Sequence, residues 1–302
     1  MALSSLKAIN PIDGRYIDVT KSISKYFSEY ALIKYRIYVE IEYFIALCEL
    51  PLPELKKVNS NDFKKLRKIG NDFSVEDAKN VKKIEKEINH DVKAVEYFIK
   101  NKFDKIGLNS YKEFIHFGLT SQDINNTATP LMLKDCIKKI ILPDLKNILK
   151  LIKNKADNFL NIAMISRTHG QPATPTTFGK ELYVFYSRVN NQIDSLTKIP
   201  NNGKFGGASG NLNAHYVSYP TLDWNTFSEK FLKHIGLERS KPTTQIEHYD
   251  NMAAIFHSLS RINTILIDFC KDIWHFISIN YLKQKVNKNE VGSSAMPHKV
   301  NP

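Results

Sequence analysis

Between residues 249 and 281 runs an apolar seam that limits the possible folds more than any other feature of the chain. Ile255, Leu259, Ile262, Leu266, Phe269, Ile273 and Phe276 alternate steps of four and three residues, the spacing of one stripe on a helix with a heptad repeat. About 30 residues of helix span on the order of 45 Å. A helix that long with an apolar stripe needs neighbours of similar length, so the seam predicts a bundle.

Other segments follow the same period. Residues 27–50 place Ile33, Ile37, Ile41, Phe44, Ile45 and Cys48 on one stripe. Ser74-Val75-Glu76-Asp77 resembles a capping box and opens a helix toward Ile88. Residues 91–102 form a further helix that buries Val92, Val95, Phe98 and Ile99. Residues 107–110 break the pattern, which predicts an N-terminal helical domain over 1–110 and a central bundle domain over 111–302. Two more long helices are expected at 131–160 and 178–199. Pro143 must start, end or kink the first of these, and Pro130 leaves its N-terminal end open. Strand-turn-strand rhythm is confined to short pieces, and the fold class is all-α.

At 302 residues the chain can bury a large core and hold two domains. Its three cysteines, Cys48, Cys136 and Cys270, are far apart and form no C-x-x-C pair. That argues against a disulfide framework or zinc site and fits a reducing compartment. No apolar run approaches the roughly 18 residues of a membrane span, and the start lacks the apolar stretch of a secretory signal. A cytoplasmic protein without membrane contact is expected. The net charge of +12 raises nucleic acid as a partner. The lysines are interleaved with acids, however, as in Lys79-Asn80-Val81-Lys82-Lys83-Ile84-Glu85-Lys86-Glu87, which reads as a solvated helix face. A small polyanionic substrate drawn by the overall field is the better use for the charge, and no nucleic-acid partner is expected.

Several connections carry polar groups suited to chemistry. The closing segment, Gly292-Ser293-Ser294-Ala295-Met296-Pro297-His298-Lys299-Val300-Asn301-Pro302, combines a pliable backbone with a cation at Lys299 and an amide at Asn301. A serine there can act as a base only if its alkoxide is stabilised by aligned N–H groups and a nearby ammonium. Ser166-Arg167-Thr168-His169-Gly170-Gln171-Pro172 lies between helical stretches and groups donors around one imidazole, a suitable lining for an anion. Asn89-His90-Asp91 ends one helix and begins another, so Asp91 either orients His90 or caps. Thr120 and Ser121 stand at a helix start, where anions bind well. Asp13-Gly14-Arg15-Tyr16 reads as a turn followed by a cation and a phenol. Lys204-Phe205-Gly206-Gly207-Ala208-Ser209-Gly210-Asn211 can cradle a carboxylate or phosphate on backbone N–H groups. It follows no strand of a βαβ unit, so a dinucleotide fold is rejected. Thr243-Thr244-Gln245-Ile246-Glu247 can present Gln245 to a ligand. No histidine pair has metal-ligand spacing supported by a carboxylate, and neither metal nor cofactor is expected.

The closing segment resembles the signature loop of the fumarase/aspartase superfamily, G-S-S-x-M-P-x-K-x-N-P. Within it the chain is similar to the adenylosuccinate lyase family, bacterial-type branch. The residues that carry this are Ser4-Ser5-Leu6, residues 11–16, 89–96, 114–117, 120–126, 166–175 and 243–247, and the loop itself. The match covers essentially the whole chain, in order.

The resemblance implies a lyase that eliminates fumarate from adenylosuccinate, giving AMP, and from a succinylated aminoimidazole carboxamide ribotide of purine synthesis. It implies a homotetramer with a helical-bundle core and active sites shared between subunits. His169 is then the general acid on the leaving nitrogen and Ser293 the base on the carbon beside the carboxylate. His90 binds substrate and assists His169, while Arg15, Tyr16, Asn89, Asp91, Thr120, Ser121, Thr168, Gln245, Lys299 and Asn301 hold it. Pro130 departs from the family's continuous helix. The chain stops directly after the signature loop where the family continues, so a fragment, inactive or poorly assembled by itself, is expected. Rival readings are argininosuccinate lyase or fumarase, a non-catalytic structural relative, and a basic nucleic-acid-binding protein. The Asn89-His90-Asp91 and Arg15-Tyr16 patterns argue against the first, and the presence of His169 and Ser293 against the second.

Overall fold

The computed structural model describes residues 5–285, 294–296 and 300. Contacts divide the chain into two compact units, Met1–Pro143 with Pro200–Ala253, and Asp144–Ile199 with Ala254–Pro302. The helices predicted from periodicity are present, and the fold is all-α apart from four short strands among the described residues.

In the first unit, helix α1 (Glu29–Cys48) is the axis of the core. Ser28 caps it by accepting the Ala31 N–H at 3.1 Å. Its expected stripe is buried at Ile33, Ile37, Ile41, Phe44 and Ile45. Helices α2 (Ser60–Asn71), α3 (Val75–Ile88) and α4 (Asp91–Lys105) follow. The box at Ser74 forms as read: Asp77 N–H donates to Ser74 Oγ at 3.1 Å, and Ser74 N–H returns a bond to Asp77 Oδ2 at 3.1 Å. α4 turns Val92, Val95, Phe98 and Ile99 into the same core.

The helix expected from residue 131 starts earlier. α5 runs Ser121–Cys136 with Pro130 inside it and buried. Proline in a helix interior removes the bond to the carbonyl four residues back. That carbonyl, Asn126 O, accepts the N–H of Lys204 instead, at 3.3 Å. The gap left by the proline is thereby the point where the 202–204 segment docks on α5. Pro143 behaves as expected: a π-helical turn at Ile137–Ile141 precedes it and α6 (Leu142–Asn158) begins beside it. The wider turn loosens the hydrogen-bond ladder where the proline ring needs room.

In the second unit α6 is followed by an antiparallel hairpin, β1 (Ala163–Thr168) and β2 (Gln171–Thr177), then α7 (Phe178–Thr197). The hairpin lies where only a connection was read. Its residues are mostly exposed and polar, so no apolar alternation marks it. The long helix, α9 (Asp250–Ser278), is the last helix among the described residues. Phe269, Ile273 and Phe276 of its seam pack with Ala156, Phe178 and Leu182. The seam is fully buried only at Ile255 and Ile262, while Phe256, Ile267 and Trp274 stand exposed on another face. Back in the first unit, β3 (Asn202–Gly203) pairs in parallel with β4 (Glu238–Arg239). Helix α8 (Trp224–His234) precedes β4 and adds Trp224, Phe231 and Leu232 to the core.

The expected break near residue 110 is not where the compact units divide. α5 packs on α1, Ile124, Ala128 and Leu131 join the first core, and Phe205, Leu212 and Trp224 complete it. Segments 111–143 and 200–253 therefore belong with the N-terminal helices.

A helix-interior proline typically costs about 3 kcal/mol. Because Lys204 already satisfies Asn126 O, Pro130→Ala is expected to change the urea unfolding free energy by less than about 1 kcal/mol. A gain near the full proline penalty would show that the carbonyl is uncompensated.

Candidate functional site

The first unit brings together His90, Asp91, Thr120 and Ser121. Asn89 ends α3 in the left-handed conformation, φ 54°, which asparagine tolerates better than most residues. That reversal lets His90 cap α4: its Nδ1 accepts the Lys93 N–H at 3.1 Å. An accepting Nδ1 leaves the proton of a neutral imidazole on Nε2, and Nε2 lies 3.4 Å from Ser121 Oγ. His90 thus offers a donor beside the Ser121 hydroxyl, with its side chain half exposed. Asp91 meets Arg36 at 2.6 Å. Burial works to raise its pKa, but the Arg36 guanidinium and the Val92 N–H outweigh it and hold the carboxylate below its ordinary value. Asp91 both opens the helix and flanks His90, so the two readings of it coexist. As a fixed anion it suits hydroxyl or amine groups of a ligand rather than phosphate.

Thr120 and Ser121 stand at the start of α5, with Thr120 as the cap. Asp123 closes the box, accepting the Thr120 N–H at 2.8 Å and the Thr120 hydroxyl at 3.0 Å on Oδ2. Its other oxygen, Oδ1, accepts the N–H groups of Gly206 and Gly207 at 2.8 and 3.0 Å and the Lys204 ammonium at 2.8 Å. Both Asp123 and Lys204 are fully buried. The glycine-rich loop does cradle a carboxylate, but it is the protein's own. Desolvation lowers the Lys204 pKa, opposed by the charge of Asp123; the ammonium also donates to Gly207 O at 2.5 Å. Nothing in the spacing of Asp123 and Lys204 announces this pair.

Two further pairs of polar groups lie in the same unit. His116, in the left-handed conformation, sets its Nδ1 2.6 Å from Glu40 Oε1. Burial pulls its pKa down, yet the Glu40 charge and hydrogen bond raise it above the usual imidazole value. Tyr43 OH donates to Phe117 O at 2.7 Å and lies 2.8 Å from His215 Nε2. Burial pushes the His215 pKa from 6.5 down to about 4.

Other expected residues stand apart. Arg15 rests over the Tyr16 ring at 5.6 Å, both exposed. Gln245 is exposed, on a segment held by buried Glu247, whose N–H donates to Asn126 Oδ1 at 2.9 Å and which accepts Ser240 Oγ at 2.6 Å. In the second unit, Thr168 ends β1 and pairs with Gln171. His169 and Gly170 are the two turn residues, with φ 51° and 75°. Two residues of positive φ make the mirror-image turn that suits a hairpin's twist, with glycine in the second place. His169 is presented at an exposed tip. Ser293, Lys299 and Asn301 lie outside the described residues. Among the described residues no cluster fits a metal ion.

Deleting the Asp123 carboxylate strands a buried ammonium and opens the helix cap. Asp123→Ala is expected to destabilise by about 3–5 kcal/mol, measured by urea unfolding; a change under about 1 kcal/mol would contradict the role given to the pair. His215 also predicts a pH effect. Its folded pKa lies below the unfolded one, so its stabilisation is complete above pH 6.5 and is lost as pH falls toward about 4. His215→Gln should flatten that part of the stability profile relative to the parent.

Comparisons with known proteins follow the same lines. A family described as "Lyase" matches residues 14–302. The chain is 57% identical to adenylosuccinate lyase of Dictyostelium discoideum over 310 residues, covering 99% of this chain and 66% of that protein. Over 304 residues it is 48% identical to adenylosuccinate lyase of Buchnera aphidicola subsp. Schizaphis graminum and 45% to that of Escherichia coli (strain K12), in each case across 100% of this chain and 67% of the relative. The chain thus spans about two thirds of the length of these relatives. A fumarate lyase from Mesorhizobium sp. BNC1 shares the fold, with a TM-score of 0.69 at 20% identity over 85% of this chain and 57% of that one. An all-α chain with a long seam helix, matched by one family model over nearly its entire length, belongs to the lyase family of the fumarase/aspartase superfamily.

Proposed function

We propose that the protein eliminates fumarate from adenylosuccinate, releasing AMP, and performs the same elimination on succinylaminoimidazole carboxamide ribotide. The observation that carries this is the 57% identity to an adenylosuccinate lyase over 99% of the chain. The polar cluster supports it, since the donors of His90, Thr120 and Ser121 at a helix start suit the anionic groups of a nucleotide and the Asp91 carboxylate suits its hydroxyl or amine groups.

The chemistry is a β-elimination. Ser293 as alkoxide takes the proton from the carbon beside the succinyl carboxylate. The electron pair moves into that carboxylate, giving a doubly charged aci-carboxylate that fixed donors and cations must meet as it forms. Lys299 and Asn301 are the loop groups suited to that task. The pair then returns to form the carbon–carbon double bond as the C–N bond breaks, and His169 protonates the departing nitrogen. His90 supplies its Nε2 donor to the substrate and assists His169. Arg15, Tyr16, Asn89, Thr168 and Gln245 complete the binding set. We further propose a cytoplasmic homotetramer in which association of copies assembles each site, with the net charge of +12 drawing the anionic substrate. No cofactor takes part.

The test is to incubate full-length protein with adenylosuccinate and follow fumarate and AMP. His169→Ala and Ser293→Ala are each expected to lower kcat by about 10²–10⁴-fold. Parent-like turnover in both variants would refute the assignment of acid and base.

A further inference from the structure

Tyr43 and His215 are polar groups of the first core to which the elimination assigns no task. Both are completely buried. The tyrosine has a single proton, and Phe117 O can only accept, so the hydroxyl donates there at 2.7 Å. The 2.8 Å contact between Tyr43 OH and His215 Nε2 must then run the other way, with Nε2–H donating. That leaves Nδ1 bare, buried and without a hydrogen-bond partner among the described residues. Packing alone gives no reason for a nitrogen in that place, because an apolar ring would fill it without an orphaned atom. The tautomer has one evident use, which is to hold the phenol with its own proton aimed at the Phe117 carbonyl.

What that carbonyl belongs to gives the use a purpose. Phe117 lies between His116 and Gly118, whose φ values are 62° and 67°, so the chain bends sharply on both sides of it. The next residues are Leu119, Thr120 and Ser121. Gly118 rests directly on the imidazole: a Cβ there would fall 2.6–2.9 Å from three atoms of the His215 ring. Trp224, with its ring centroid 4.8 Å from that of His215, backs the arrangement. The loop is therefore clamped by a hydrogen bond at one residue and by ring contact at the next.

We propose that His215 and Tyr43 are positioning residues for substrate binding, holding the Phe117 and Gly118 backbone so that Thr120 and Ser121 meet the succinyl nucleotide. This rests on the lyase reading and adds to it the device that fixes one wall of the binding site. The clamp touches no reacting atom, so it sets affinity and leaves the elimination step alone.

The experiment compares Tyr43→Phe, His215→Leu and His215→Gln in the full-length protein. Tyr43→Phe removes both bonds of the relay and His215→Leu removes the one between ring and phenol; each should raise KM for adenylosuccinate about tenfold with kcat within about twofold. A glutamine amide can donate to Tyr43 in place of Nε2, so His215→Gln should restore KM to within about threefold of the parent. Equal loss in kcat, unchanged KM in the first two variants, or no rescue by glutamine would overturn the proposal. Hydrogen exchange of the Leu119, Thr120 and Ser121 amides gives a readout without substrate, and Tyr43→Phe should accelerate it while distant helices keep their protection. Parent protein that fails to turn over adenylosuccinate would sink the lyase reading alone. The exchange data would then decide the clamp, with unchanged protection at these amides counting against it.

Discussion

The arrangement of the first unit depends on one buried ion pair. Asp123 and Lys204 sit 81 positions apart in the chain, fully out of solvent, and the carboxylate also accepts from the Thr120 N–H and hydroxyl and from the Gly206 and Gly207 N–H groups. Burying two charges costs several kcal/mol each unless Coulomb attraction and further hydrogen bonds offset it. Here the offset comes from the Thr120 cap and from two glycine N–H groups. The polar ligands of Asp123 are thus the start of α5 and the turn of the glycine-rich loop, and fixing one fixes the other. Because Ser121 follows Thr120 directly, the pair also sets where that hydroxyl stands relative to His90.

Much of the frame was readable from periodicity. Ile33, Ile37, Ile41 and Phe44 recur at helical spacing because α1 has a continuous buried stripe, and the Ser74–Asp77 box announces its helix by residue type alone. The seam of α9 was equally plain, although only part of it is covered in the described structure. Local chemistry of this kind involves near neighbours in sequence, so a linear reading finds it.

What escaped depends on partners far along the chain. Pro130 left the start of its helix open, because the residue that satisfies Asn126 O is Lys204, which no local pattern connects to it. The hairpin around His169 was missed for a different reason. Its strands carry polar, exposed side chains, and only the His169-Gly170 pair, two residues able to take positive φ, marks the turn. The glycine-rich loop was read as a cradle for a carboxylate or phosphate, and the carboxylate it holds is that of Asp123. Of the site residues, the sequence placed His90, Asp91, Thr120 and Ser121 at helix ends, where they are found. Their convergence required the α1 core that sets α4 beside α5.

The proposed lyase makes and breaks the bond between a carbon of a succinyl unit and the nitrogen of a nucleotide. The reverse direction tests it most directly. Full-length protein incubated with AMP and fumarate in D2O and followed by NMR should form adenylosuccinate carrying one deuterium on the carbon that loses its proton in the forward reaction. Fumarate and AMP that remain unchanged, under conditions where a known adenylosuccinate lyase joins them, would contradict the account.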